Sequence, residues 1–222
     1  MCAPNLTGDV QHLHAAAEAG LQIVCLDRLP SGFACDAVIA DNSKGARLCV
    51  RHLHLLGQRH IAAVLGPPDL QNSEQRTKGY REALKKCGIP WDPKLERQGD
   101  FRLDAGHRLA KDLLLSEFPP TAIFTANCMM GLGVLKAIQG CGLSCSQHIS
   151  LTVYDDYPGA DIFRPTLTVV AQPAYQMGRR GMEMLISRLM GAKAIVDPSV
   201  EMLSPELIVR ESTGIPRVTF QP

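Results

Sequence analysis

Several polar residues that could bind or activate a small molecule follow short apolar runs of the sequence. Asp155 and Asp156 come directly after the run Ile149–Tyr154, and Asn127 follows the run Thr121–Ala126. Paired carboxylates can act as general acid and base, but a carboxylate at a strand end more often caps a turn or binds a ligand hydroxyl. The sequence therefore favours a binding site here and keeps a catalytic pair as the minor alternative.

The motifs of the common catalytic and nucleotide-binding sites are missing from the sequence. It contains no G-x-S-x-G elbow, no Walker A loop and no H-E-x-x-H motif. Gly131-Leu132-Gly133 is only a fragment of a dinucleotide-binding motif and lies inside a helical pattern. The eight cysteines include no CxxC pair, and most lie in apolar runs, where a reduced thiol behaves as a small hydrophobic side chain. We therefore expect no enzyme activity, no metal site and no cofactor.

Short apolar runs alternate with amphipathic helical patterns along most of the chain. The runs are continuous in apolar character, which is typical of strands buried on both faces of a parallel sheet. Five strands are predicted, at Gln22–Asp27, Ala37–Asp41, Ile61–Gly66, Thr121–Ala126 and Ile149–Tyr154. Helices are predicted at Lys44–Leu56, Ser73–Cys87 with Ser73 as its N-cap, from Asp104 onward, Met129–Gln139 and Tyr175–Met190.

This alternation predicts a doubly wound α/β fold. Such folds bind ligands in the crevice beyond the carboxyl ends of their strands. The rule points to Asp27, the loop after Gly66, Asn127 and the Asp155-Asp156 pair as the places where a ligand would bind.

Composition and charge narrow the classes of protein. A chain of 222 residues suits one large domain or two lobes. The formal net charge is +1 and aromatic residues make up 5% of the chain, which provides neither a basic surface nor a stacking platform for nucleic acid. No apolar run approaches the roughly 18 residues of a membrane span, and the first residues lack the pattern of a signal peptide. We expect a reduced, cytoplasmic protein that binds neither DNA nor membranes by itself.

A series of ordered motifs extends over about residues 20–213. They read VCLDRLP, VIADNSKGARLCVRHLHLLGQRHIAAVLGPP, RTKGYREALKKCGI, PPTAIFTANCMMGLGVLKAI, HISLTVYDD, RPTLTVVAQPAYQMG and PELIVREST. In this order they resemble the lactose/galactose-repressor family of bacterial transcription regulators. The resemblance implies a two-lobed, periplasmic-binding-protein-like (type I) α/β fold with doubly wound parallel sheets, behind an N-terminal helix-turn-helix head.

By the same resemblance, the chain lacks the DNA-binding head and part of the first lobe. Residues 1–42 with 172–202 are expected to form the remnant of the N-terminal lobe. Residues 43–171 with 203–222 are expected to form the C-terminal lobe. On its own, the chain should keep the second lobe ordered, leave the first lobe mobile or prone to aggregation, and bind effector poorly.

The family's effector-binding positions map onto six residues of this sequence. They are the cleft aspartate Asp27, the arginine Arg76 before Gly79-Tyr80, the stacking aromatic Phe101, Asn127 of the A-N-D motif, Asp155 of F-D-D and Gln172 of T-x-x-x-Q. Carboxylate, amide and guanidinium groups together supply the donors and acceptors that vicinal hydroxyls require. The resemblance implies a sugar, a sugar acid or a purine as effector.

Two positions depart from the family's pattern. Cys128 replaces the aspartate of the A-N-D motif, and Val153 replaces the glycine before the aromatic-Asp pair. A carboxylate at the Cys128 position commonly accepts hydrogen bonds at a helix start. Both changes bear on which effector the site binds.

The family also implies a homodimer and a regulatory function. Dimer contacts are expected from Met129–Gln139 and Tyr157–Pro165, although their apolar residues fit an internal core equally well; these are Leu132, Leu135, Ile162 and Phe163. The favoured function is the effector-binding and dimerisation core of a regulator that reaches operator DNA only through its head. The alternative is a periplasmic sugar-binding protein of a transporter, which a signal peptide upstream would identify.

Overall fold

The computed structural model describes residues 10–157, 164–191 and 197–216. In chain order its elements are α1 (Gln11–Glu18), β1 (Val24–Leu26), β2 (Asp36–Ala40), α2 (Asn42–Leu55), β3 (Ile61–Leu65), α3 (Gln71–Lys86), β4 (Glu96–Gln98), α4 (Leu103–Leu114), β5 (Ala122–Thr125), α5 (Cys128–Gly140), β6 (Ser150–Tyr154), β7 (Thr168–Ala171), α6 (Ala174–Leu189), β8 (Val200–Leu203) and β9 (Glu206–Ile208). None of the helices in these ranges is long and apolar enough to span a membrane.

Six strands form one mostly parallel sheet, the large sheet, in the order β4-β3-β5-β6-β7-β9. Only β9 runs antiparallel to its neighbour, β7. Adjacent residues of a strand point to opposite faces, and on β6 Val153 lies against Gly131 of α5 while Tyr154 lies against Gly45 of α2. Because α2 packs on α3 and α4 packs on α5, one helix pair covers each face. The doubly wound α/β arrangement predicted from the sequence is confirmed.

Three strands form a second parallel sheet, the small sheet, in the order β1-β2-β8. Helix α6 packs on β1 and β2. The buried side chains of this region form two small clusters. One surrounds Cys25, Cys35 and Ile39, and the other surrounds Val38 and Met177.

All five predicted strands and all five predicted helices are present, with ends displaced by at most two residues. The predicted N-cap Ser73 is wrong: α3 begins at Gln71, directly after the extended residue Leu70, so Ser73 lies buried inside the helix. The sequence patterns missed β4, β7 and β9. These strands have three or four residues each, too few for a periodic signal.

The glycines of α5 serve packing. A Cβ atom on Gly133 would lie 2.1 Å from the carbonyl oxygen of Leu103, so only glycine allows α4 and α5 to approach this closely. This contact explains why glycine occupies position 133.

The predicted dimer segments fall partly in the core. Leu135 is 5% exposed and belongs to the core of the large sheet, as the internal-core alternative expects, whereas Leu132 is half-buried and packs against that core. Ile162 and Phe163 lie outside the described residues.

Candidate ligand-binding site

Three of the six predicted site residues occupy strained backbone positions where strands end. Asp27 after β1, Phe101 after β4 and Asp155 after β6 have φ angles of 70°, 66° and 75°. Few residues other than glycine adopt positive φ, and residues held there cluster at binding and catalytic sites. The only other such residue in the described ranges is Ser146, so this strain is concentrated at the predicted site.

Arg76 is the centre of the site and is 2% exposed. Its Nη1 atom donates to the carbonyl oxygen of Ala126 at 2.5 Å and lies 3.4 Å from Oδ2 of Asp155. Its guanidinium lies 3.7 Å above the centre of the Tyr154 ring. Because Ala126 and Asp155 follow β5 and β6, this one side chain joins the carboxyl ends of two central strands.

Sequence reasoning missed Asn42, which orients Arg76. Asn42 is 2% exposed, and its Oδ1 accepts a hydrogen bond of 2.8 Å from Nε of Arg76. Its Nδ2 donates to the carbonyl oxygen of Ala40 and to Oε1 of Gln75. Asn42 follows the carboxyl end of β2, so the strand-end rule contained the signal that could have found it.

Asp155 and Gln172 form a second polar contact at the same edge. Nε2 of Gln172 donates to Oδ1 of Asp155 at 2.5 Å, and Oε1 of Gln172 is buried without a hydrogen-bond partner among the described residues. The neighbouring Asp156 forms a bidentate ion pair with Arg210, at 2.9 and 2.7 Å. The two adjacent carboxylates therefore face different partners, which removes support for an acid–base pair.

Asp27 is the predicted site residue that follows a strand of the small sheet, β1. Burial raises the pKa of its carboxyl above the ordinary value of 3.8, the charges of Arg76 and Arg28 lower it, and the charge of Asp155 raises it. The Oδ2 atom lies 3.6 Å from Nε of Arg28, and the buried Oδ1 has no hydrogen-bond partner within the described ranges. Asp27 thus offers an unused acceptor close to Arg76 and Asp155.

Phe101 and Asn127 form a separate pair beside this cluster. Nδ2 of Asn127 donates to the carbonyl oxygen of Phe101 at 2.9 Å, and Oδ1 accepts from the backbone N–H of Met130 at 3.0 Å. Asn127 therefore caps α5 and also fixes the loop of Phe101. The Phe101 ring is half-buried and lies against Gly66, where a Cβ atom would be 2.1 Å away. Polar contacts thus join Arg76, Asp155 and Gln172, and Asp27 lies within electrostatic reach of Arg76 and Asp155. Phe101 and Asn127 form a separate hydrogen-bonded pair after neighbouring strands.

The two departures from the family pattern have different structural settings. Cys128 begins α5, and its pKa is raised to about 11 by burial and by the charges of Asp155 and Asp156, so its thiol stays neutral. The side chain of Val153 occupies space that Gly131 leaves open, because a Cβ atom on Gly131 would lie 2.8 Å from both Val153 methyl groups. Valine fits at position 153 of β6 because α5 has a glycine, Gly131, at the facing position.

Two cavities accompany these features. One of about 220 Å³ lies between the β1–β2 and β3–α3 connections, next to Asp27, and is lined by Arg28, Leu29, Ser31, Asp69, Leu70, Gln71 and Glu74. The larger one, about 360 Å³, lies between α2 and α3. None of the six predicted site residues lines either cavity. The smaller cavity adjoins the strand ends where the fold predicts a ligand, and for that reason it is the one we associate with the site.

Comparison with known proteins identifies the family. Residues 50–213 match the periplasmic binding protein-like domain. The HTH-type transcriptional repressor CytR of Escherichia coli K12 is 34% identical over 173 residues, which are 78% of this chain and 50% of CytR. The chain spans about half the length of the curated relatives it matches.

Solved structures agree with this assignment. The complex of the transcriptional regulator CelR with cellobiose has a TM-score of 0.81 at 34% identity, covering 89% of this chain and 60% of the CelR chain. A dimeric Lac repressor with a C-terminal deletion has a TM-score of 0.80 at 28% identity, covering 94% of this chain and 76% of the repressor chain. The chain therefore belongs to the periplasmic binding protein-like domain family, and its relatives include the LacI-type regulators that its motifs resemble.

Proposed function

We propose that this chain is the effector-binding core of a bacterial transcription regulator and that a sugar or sugar acid binds at the Arg76 cluster. The observation that carries the proposal is the convergence of Asp27, Arg76, Asp155 and Gln172 where strands of both sheets end. Phe101 and Asn127 are assigned to the same site as the stacking aromatic and a second amide.

The chemistry of the cluster suits hydroxyl groups. Asp27 Oδ1 and Gln172 Oε1 are buried acceptors that lack partners in the described part of the chain, and a buried unpaired polar atom destabilises a protein unless a ligand or water satisfies it. Arg28 and Arg76 balance the charges of Asp27 and Asp155. This balance favours a neutral sugar over an anion, and the related CelR was solved with cellobiose.

The proposed regulator works through two lobes, residues 1–42 with 172–202 and residues 43–171 with 203–222. Effector bound between the lobes would favour one relative orientation, which changes the DNA affinity of an attached head.

The related repressor of known structure is a dimer, and we propose the same state for the whole protein. The relatives are helix-turn-helix regulators, which supports a cytoplasmic, non-enzymatic role over that of a transporter's binding protein.

A thermal-shift panel tests the proposal. Cellobiose, ribose, gluconate and hypoxanthine are added separately, in excess, to the 222-residue chain, and a ligand that binds the folded state raises the melting temperature. Because the chain by itself is expected to bind effector weakly, each sugar is raised to high millimolar concentration, where we expect a rise with at least one of them. In Asp27→Asn, the loss of a charged acceptor should weaken that sugar's binding by about 1.5–3 kcal/mol, or roughly 10–150-fold in Kd.

The matched control is Asp112→Asn, which removes the same charge from an exposed position on α4. This variant should bind the sugar with unchanged affinity. No shift with any sugar, or equal affinity in Asp27→Asn and the unmodified chain, would contradict the proposed site.

A further inference from the structure

Two thiols of the small sheet lie in direct contact. Cys25 is in β1 and Cys35 immediately precedes β2, and the register of these strands pairs Cys25 with Ala37. The Cys35 thiol donates a hydrogen bond to the Cys25 sulfur, and the two Sγ atoms are 3.3 Å apart. Both residues are buried, at 6% and 7% exposure, in one apolar cluster. The packing of the sheet therefore holds the two sulfurs together.

We propose that Cys25 and Cys35 form a reversible intramolecular disulfide, which makes this pair a redox-modification site in the small sheet. A disulfide requires the sulfurs to approach to about 2.05 Å, a movement of little more than 1 Å. The pair contains none of the six residues assigned to the ligand site, so the inference is independent of the proposed function.

The hydrogen bond between the thiols gives them different chemical roles. It lowers the pKa of Cys25 to about 7, while it and burial raise the pKa of Cys35. Since the thiolate is the nucleophile in thiol oxidation, Cys25 reacts first and Cys35 resolves the product. By contrast, the fully buried Cys49 has its pKa raised to about 12 by burial and provides an internal reference that stays reduced.

With a peroxide as oxidant, the reaction balances in two steps. The Cys25 thiolate attacks one peroxide oxygen, the O–O bond breaks, and the departing hydroxide takes up a proton as water, leaving a sulfenic acid. The sulfur of Cys35 then attacks Cys25, the S–S bond forms, the S–O bond breaks, and hydroxide leaves with the Cys35 proton as a second water. Two thiols lose two electrons, and hydrogen peroxide is reduced to two waters.

Peptide mass spectrometry tests the pair directly. Trypsin cleavage after Arg28 and Lys44 places Cys25 in peptide 1–28 and Cys35 in peptide 29–44, and a Cys2→Ala background leaves each peptide with one cysteine. After treatment with hydrogen peroxide and alkylation of free thiols, we expect these two peptides to be linked and two hydrogens lighter than their reduced sum. Dithiothreitol should restore both thiols.

Matched variants separate this chemistry from general oxidation. Cys35→Ser should abolish the linked peptides and leave Cys25 carrying added oxygen, whereas Cys49→Ser should form the linked peptides as the parent does. The proposal is overturned if Cys25 and Cys35 are both alkylated after peroxide, if Cys25 only gains oxygen, or if the linkage occurs only between two chains.

Discussion

The two sheets of this molecule differ in how completely they are covered. In the large sheet, every residue of β3, β5 and β6 is buried, and one continuous core includes both faces. In the small sheet, β1 buries only Cys25, and the residues of β8 are exposed or half-buried. The helical spacing of α6 places Met177, Met182, Leu185, Ile186 and Leu189 on one apolar face, yet Met182, Ile186 and Leu189 are 56%, 46% and 67% exposed. The apolar face of α6 is therefore only partly buried.

The large sheet mainly stabilises the fold, whereas the small sheet mainly contributes residues to the proposed binding site. Buried apolar surface stabilises a fold by about 25 cal/mol per Å², so the large sheet supplies most of the stability of the described structure. The small sheet supplies Asp27, and Asn42 follows its central strand. The proposed ligand therefore connects a strongly stabilised region to a weakly stabilised one, and binding should protect the small sheet most.

Hydrogen exchange should show the largest contrast. We expect the amides of Val24–Leu26 to exchange at least about 100-fold faster than those of Ala122–Thr125. This ratio corresponds to a free energy of opening that is lower by about 2.7 kcal/mol in β1 than in β5. The reason is the smaller apolar core over β1. Equal protection of the two strands in a monomeric sample would contradict the comparison.

Replacing a leucine by alanine should destabilise the protein much more on α4, in the large-sheet region, than on α6, in the small-sheet region. Leu113 on α4 is 1% exposed and Leu189 on α6 is 67% exposed. Leu113→Ala should lower the free energy of unfolding by about 2–5 kcal/mol, and Leu189→Ala should change it by less than about 0.5 kcal/mol. Urea denaturation measures both, and similar losses would show that α6 is packed as tightly as α4.

The matched pair Gly131 and Val153 predicts a coupled effect within the large sheet. Gly131→Ala should cost about 1–3 kcal/mol of stability, because the added methyl group meets Val153. Adding Val153→Ala should recover part of that loss, with a coupling energy of about 0.5–3 kcal/mol. Gly140→Ala, at an open position of the same helix, is the control and should be neutral or stabilising. Simple additivity would show that the two positions do not share space.

The smallest effect concerns the charge of Asp27. Its pKa is raised by burial, so the folded state binds the proton more tightly than the unfolded state, and its ionisation costs stability as the pH rises above 3.8. Asp27→Asn should therefore be slightly more stable than the unmodified chain at pH 7. The difference should vanish below pH 3.8, where the carboxyl is protonated in both states. A variant that is less stable at pH 7 would show that the charge is favourable in the unliganded fold.

The sequence predicted the elements and the strand-end positions of the candidate residues because both depend on local patterns. Continuous apolar runs identified the central strands, and the strand-end rule identified Asp27, Asn127 and Asp155 as candidates. Contacts between distant residues could not be predicted in this way. The hydrogen bond from Arg76 to Asn42 joins residues 34 positions apart.

Two further contacts could not be predicted from the sequence for the same reason. The contact between Cys25 and Cys35 depends on how β1 and β2 meet, and the exchange of size between Gly131 and Val153 depends on how α5 lies on β6. Neither arrangement leaves a periodic signal in the sequence, because each is set by the packing of one element on another.

The most direct test of the account is a nuclear magnetic resonance titration of the side chain at its centre. The Nε–H group of Arg76 is buried and donates to Asn42, so its resonance reports on the cluster itself. On titration with cellobiose, ribose or gluconate, we predict that this resonance and the Gln172 side-chain amide shift and saturate together. The indole N–H of Trp91, which donates to Glu96 outside the site, should not shift. Shifts confined to the α2–α3 cavity, with none at Arg76 or Gln172, would contradict the proposed site.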